Sequence, residues 1–207
     1  MYKEAKFWDK IAKKYARQPI GDDEAYQKKL EKTREYLTSE TEVFELGCGT
    51  GSTALLHAPY VKHIHATDIS SAMIAIAQGK AKDQGVGNVT FETVALDDVQ
   101  VADGSKDVVL GHSIFHLLKN REEALAHIYR MLKPGGVLIS STPCVGETMG
   151  FLKFISPLAQ WLGFFPFLRF FNIEGLKENI ANTGFNVEYE WRVGKTMVLF
   201  VVARKPG

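Results

Sequence analysis

Val43-Phe-Glu-Leu-Gly-Cys-Gly-Thr-Gly51 joins a short apolar run to three glycines, and Ser52 then opens a helical pattern. Val43–Leu46 predicts a buried strand. Gly47, Gly49 and Gly51 predict a sharp turn with room for a ligand against the main chain. The next acid at a strand end is Asp68, 17 residues beyond Gly51. That placement suits a carboxylate that accepts hydrogen bonds from ribose hydroxyls. Glycine turns alone are common; strand, glycines, helix and strand-end acid together are informative. A dinucleotide turn needs glycine at the third position of G-x-G-x-x-G, which from Gly47 falls on Ser52. Here the spacing is G-x-G-x-G with Glu45 just ahead. An acid at that point suits a ligand with an amino group or sulfonium and argues against a nicotinamide cofactor.

Outward from this turn, short apolar runs alternate with helical stretches. The runs are VFEL (43–46), HIHATD (63–68), VTFETV (89–94), DVVLGH (107–112) and VLISST (137–142). Helices are expected at Ser52–Ala58, Ser70–Gln84 and Arg121–Leu132, whereas the interval after 94 is short and loop-like. Apolar runs joined by helices indicate a parallel sheet covered on both faces. A further helix over about 173–183, ended by Gly184, precedes VEYEWRV (187–193) and TMVLFVVAR (196–204). Only Gly194 and Lys195 separate those runs, which requires an antiparallel hairpin on a tight turn. The expected fold is α/β: a doubly wound, seven-stranded, mostly parallel Rossmann-like sheet with an antiparallel C-terminal hairpin. Residues 1–207 read as one domain. Residues 1–40 form its helical cover and 144–172 an apolar insertion. In the cover, a helix over 3–18 carries Phe7, Ile11, Ala12 and Tyr15 on one face and stops at Pro19. A second helix, capped by Asp22 or Asp23, runs to about Leu37.

The chain has 207 residues, 45% apolar and 24% charged, with a net charge of +1. That length supports a core without disulfide or metal staples. The charge balance argues against nucleic acid as a partner, since phosphate binding needs concentrated positive charge. Two cysteines, Cys48 and Cys144, make no disulfide framework, and MYKEAKFWDK has no apolar signal core. Cytoplasm is the expected location.

Four motifs in order resemble the class I S-adenosylmethionine-dependent methyltransferases. They are Glu45–Gly51, Asp68-Ile-Ser-Ser-Ala-Met73, Asp103-Gly-Ser-Lys-Asp-Val-Val-Leu110 and Leu132-Lys-Pro-Gly-Gly-Val137. The resemblance covers roughly residues 5–142 and, more loosely, 173–205. It implies S-adenosylmethionine as cofactor and S-adenosylhomocysteine as product. Expected cofactor residues are Tyr15, Glu45, Gly47, Cys48, Gly49, Gly51, Asp68, Ile69, Met73, Ala95, Leu96, Asp97, His112 and Ser113. Phe7-Trp8-Asp9 with Tyr15 resembles the entry helix of small-molecule members, in which an aromatic closes over the cofactor. One position departs from the pattern: the usual adenine-contacting acid falls on Ala95. The expected substitute is backbone contact at Ala95–Leu96 plus Asp97, with Asp98 a solvated loop carboxylate.

Methyl transfer from a sulfonium is an in-line displacement that needs alignment rather than a metal, and no metal constellation is apparent. His57, His63 and His65 lack partner ligands and read as surface or edge residues. His112 and His116 follow the fourth strand and are the candidate proton acceptors; the competing reading is structural histidines held by hydrogen bonds. Cys144 reads as a small residue of the cleft wall. Residues 151–171 (FLKFISPLAQWLGFFPFLRFF) hold seven of the 13 phenylalanines. Three readings stand: a lid over an apolar acceptor, a peripheral membrane contact, or a dimer interface or plain core. The leading function is transfer of a methyl group to a small apolar or amphiphilic acceptor. The alternatives are a non-catalytic cofactor-binding protein and a lipid methyltransferase at the membrane surface. No oligomeric state is legible.

Overall fold

The computed structural model describes residues 4–19, 21–144, 146, 167–194 and 197–207. The five apolar runs become parallel strands: β1 (Glu42–Leu46), β2 (His63–Asp68), β3 (Val89–Thr93), β4 (Lys106–His112) and β5 (Leu132–Pro143). The C-terminal pair, β6 (Asn186–Arg192) and β7 (Val198–Arg204), is antiparallel, with β7 inserted beside β5. Strand order is β3-β2-β1-β4-β5-β7-β6. The direction of winding reverses between β1 and β4, and the carboxyl ends of those strands open onto a crevice.

Alternate side chains supply the two faces of the sheet. Val43, Ile64, Val108, Leu110, Ile139 and Phe200 face one layer, built by α2 (Asp23–Arg34), α3 (Ser52–His57) and α4 (Ser71–Asp83). Phe44, Leu46, Val109, Leu138 and Val201 face α5 (Arg121–Met131) and α6 (Ile173–Asn182). Side-chain caps start four of these helices. Asp22 accepts from the Ala25 amide, Ser70 from Met73, Asn120 from Glu123 and Asn172 from Gly175. No helix joins β3 to β4, as the short interval predicts. His63 and His65 therefore stay near solvent at that edge, bonded to Thr90 (2.9 Å) and Glu92 (2.8 Å).

Several boundaries differ from the sequence reading. Helix α1 spans only Ala5–Tyr15 and ends before Pro19. Ala5 and Ala12 are its buried residues, while Phe7 and Ile11 are half-buried and Tyr15 is exposed. Its aromatic face thus borders an opening rather than the core. The hairpin closes from the Val193 amide to the Val198 carbonyl (2.9 Å), so residues 194–197 connect the strands rather than two residues. Alternation alone does not reveal where strand pairing begins. Cys144 is fully buried in the α5/α6 core instead of lining a cleft, because its amide bonds the Met197 carbonyl and turns it inward.

Gly51 shows what one glycine of the turn contributes to packing. It sits at φ +73°, and a Cβ there would lie 2.7 Å from Ala77 and 2.8 Å from Phe91. Left-handed backbone costs a non-glycine about 1–2 kcal/mol, and overpacking adds about 1–3 kcal/mol. Gly104, at φ +61°, has open space around it and carries only the first cost. Urea unfolding should give Gly51→Ala a loss of about 2–5 kcal/mol and Gly104→Ala about 1–2 kcal/mol.

Candidate active site

The glycine turn is zipped to the end of β2. The Cys48 amide donates to the Thr67 carbonyl (2.9 Å) and the Gly49 amide to Asp68 Oδ2 (3.0 Å). Asp68 Oδ1 accepts from the Ser70 amide (2.8 Å). Burial raises the Asp68 carboxyl above its usual range, and these amides oppose the rise. Two carboxylate oxygens offer about four acceptor positions, so Asp68 keeps capacity for a ligand's hydroxyls.

Two cavities meet at this turn. The first, of about 410 Å³, is lined by Trp8, Asp68, Ile69, Met73, Ala95, Leu96, Asp97 and Phe167 among others. The second, of about 460 Å³, is lined by Tyr26, Lys29, Glu45, Cys48, His57 and Ser141 among others. Tyr15, Gly47, Gly49, His112 and Ser113 line both. A Cβ on Gly49 would meet only the Tyr15 ring edge at 4.0 Å, so the glycine leaves free space on its cavity side. Ser113 takes φ 52°, an uncommon conformation for a residue with a side chain, and its amide bonds the Ser141 carbonyl (2.7 Å). That bond ties the end of β4 to the end of β5 beneath both cavities.

Helix α1 is docked by one carboxylate. Asp9 Oδ1 accepts from Ser70 Oγ (2.7 Å) and the Ala72 amide (3.1 Å), adding an acid at the N-terminus of α4. Docking sets Trp8 and Tyr15 edge to face, 6.5 Å between ring centres, along the first cavity. An ion pair between Glu4 and Lys119 (2.5 Å) links the helix start to the loop after β4. The role of Asp9 is not visible in the sequence, because its partners lie about sixty residues away; the aromatic pattern beside it is.

Most of the expected residues converge on this site, and a few do not. Gly51 lines neither cavity and faces Ala77 and Phe91 instead. Asp98, read as a solvated carboxylate, lines the first cavity while staying exposed. His57 is fully buried rather than at the surface, because α3 turns Ala54, Leu55 and His57 inward. His116 lines neither cavity; its carbonyl accepts from the Arg169 amide (2.7 Å). Arg169 in turn makes a two-pronged ion pair with Glu122, at 3.0 Å for each bond. Of the apolar insertion, residues 151–166 lie outside the described residues. Among the described residues, no group of three metal-ligating side chains occurs, and no helix is long and apolar enough to cross a membrane.

Burial governs the electrostatics. Burial, with the Asp68 carboxylate nearby, pushes the Glu45 carboxyl up to about 8. One Glu45 oxygen, Oε2, has no partner. Burial lowers His57 to about 4, with help from Arg34, and His116 to about 4. Burial, then His57 and Lys29, lowers His112 to about 3. Burial also pushes the Cys48 thiol well up, which argues against a thiolate nucleophile.

Residues 43–136 match the family model of a methyltransferase domain. With the strand order and the turn, this match supports the resemblance to the class I S-adenosylmethionine-dependent methyltransferases. It is similar to malonyl-[acyl-carrier protein] O-methyltransferase of Bacillus cereus, with 36% identity over 107 residues, 51% of this chain and 38% of that protein. It is also similar to demethylmenaquinone methyltransferase of Leptospira interrogans, with 32% identity over 138 residues, 64% of this chain and 52% of that one. The fold resembles Haemonchus contortus phosphoethanolamine N-methyltransferase 2, solved with phosphomonomethylethanolamine and S-adenosylhomocysteine. There the TM-score is 0.77 at 17% identity, covering 100% of this chain and 61% of that one. The chain spans 38% to 53% of the length of the first curated relatives it matches.

The residues present fit this cofactor class: space beside Gly49, a carboxylate with free acceptor positions at Asp68, and a buried carboxyl with one unpartnered oxygen at Glu45. The raised Glu45 carboxyl is mostly neutral at pH 7. A cationic ligand group beside it favours the charged form and pulls its pKa down. Binding of S-adenosylmethionine at pH 7 should therefore release about one proton per site. Calorimetry in buffers of different ionisation enthalpy measures that release, and Glu45→Gln should abolish it.

Proposed function

We propose that this chain transfers a methyl group from S-adenosylmethionine to a small amphiphilic acceptor. The observation that carries the reading is the shared wall between the two cavities, formed by the glycine turn with Tyr15, His112 and Ser113. Donor and acceptor chambers that touch at one wall supply the proximity this chemistry needs. When bound, S-adenosylmethionine supplies an activated methyl group and its own leaving group for in-line displacement.

On this reading Asp68 holds the ribose, and Ile69, Met73 and Leu96 give the base an apolar slot. Ala95 backbone and Asp97 meet its polar edge, and Glu45 faces the amino group. Trp8 and Tyr15 cover the ligand and exclude water. His112 stands where the chambers meet and is the candidate proton acceptor for an acceptor that needs one. His116 is better suited to supporting the loop through its carbonyl. Phe167 on the first cavity supports a covering role for the apolar insertion, with the whole chain working as one domain. The mixed lining of the second chamber, which holds Lys29, Glu45, His57 and Ser141, favours an amphiphilic acceptor over a purely apolar one. An adjoining chamber of that size also favours catalysis over simple cofactor binding.

Calorimetry tests the donor side. S-adenosylhomocysteine should bind and NADH should not. Losing two hydrogen bonds to the Asp68 carboxylate costs about 2–4 kcal/mol, so Asp68→Ala should weaken S-adenosylhomocysteine at least about tenfold. Asp68→Asn retains an acceptor for the Gly49 amide and should lose less. Gly49→Val should abolish binding.

A further inference from the structure

The second cavity holds three basic side chains whose polar atoms the protein leaves unengaged. His57 is 0% exposed, yet both ring nitrogens lack a hydrogen-bond partner. His112 leaves Nδ1 unpartnered in the same way. Lys29, half-buried on α2, lines the same space, and among the described residues no ion pair or hydrogen bond occupies its ammonium. The acid that acts on its ammonium is Asp22, whose carboxylate already caps α2 through the Ala25 amide. The hydroxyl of Tyr26 is engaged with Thr53 Oγ1 (3.2 Å).

Buried imidazole nitrogens need partners, and a charge-assisted hydrogen bond is roughly twice as strong as a neutral one. Lys29 sets the sign. Glu45, the acid in the lining, does not cancel it: the carboxyl is mostly neutral at pH 7 without cofactor, and once the cofactor binds its charge is met by the cofactor's amino group. Arg34, close enough to depress His57, adds to the positive potential.

We infer that this chamber receives the acceptor by a carboxylate, held by Lys29 with His57 and His112. The inference rests on the methyl-transfer reading and narrows its acceptor to carboxylate-bearing molecules. Neutral histidines suit such a guest, since each presents one N–H to an anionic oxygen and brings no competing anion.

Benzoate and its neutral isostere benzamide are the probes. In the full chain saturated with S-adenosylhomocysteine, benzoate should move the ring-nitrogen NMR resonances of His57 and His112, and benzamide should leave them in place. Lys29→Gln should weaken benzoate at least about tenfold while holding S-adenosylhomocysteine affinity within about twofold, tenfold being 1.4 kcal/mol. His57→Gln should give the same separation from a second helix. Equal response to benzoate and benzamide overturns the inference. So does a parallel loss of S-adenosylhomocysteine affinity in Lys29→Gln, because the lysine would then serve the cofactor's own carboxylate. If the unmodified protein fails to bind S-adenosylhomocysteine, the methyl-transfer reading falls. The benzoate and benzamide titration of that same protein still decides whether the chamber selects a carboxylate.

Discussion

The hydrogen bond from the Gly49 amide to Asp68 holds the site together. It joins the tip of β2 to the turn leaving β1, one residue beyond Thr67 and three beyond Leu46, the last paired residues of the two strands. The same carboxylate orders Ser70, the cap of α4, and Ser70 Oγ receives α1 through Asp9. Turn, helix start and cover helix are thus organised around one acid. Because that acid retains acceptor positions, the group that builds the turn also presents it to a ligand.

Much of the site is built from ionisable groups that burial holds in their neutral form. Glu45 sits well above the ordinary carboxyl range, and His57 and His112 sit well below the imidazole range. Buried polar atoms without partners cost stability. Those of Glu45, His57 and His112 belong to residues that line the cavities, where a guest can satisfy them. Such clustering of perturbed groups is the electrostatic mark of a functional cleft.

How much of this was legible in the sequence follows from the range of the interactions concerned. Local signals carried the strands, the missing helix after β3, the glycine turn with Asp68, and the antiparallel end of the sheet. Each of these depends on period, turn chemistry or a short spacing. Long-range contacts decided the rest. Helix α3 has six residues, too few to show a periodicity that would mark His57 as inward-facing. Gly51 belongs to the same motif as Gly49, yet its neighbour Phe91 comes from β3, forty residues on, and that contact makes it a packing glycine. Cys144 looked like a cleft residue because it follows a strand end, but its bond to Met197 draws it into the core. Asp9 gave no sign of its part, since its partners are on α4.

The central pairing of β1 with β4 has a consequence for the order in which the chain assembles. Their ends are joined by a bond from the Glu42 amide to Asp107 across 65 residues of sequence. Closing so long a loop is entropically costly before the pairing rewards it. During synthesis the glycine turn emerges long before Ser113 and His112, which complete its surroundings. β7, the neighbour that seals β5, emerges later still. A nascent chain therefore carries the residues of the turn well ahead of the cleft they serve, and the capacity to bind is acquired only once β4 and β5 have joined β1.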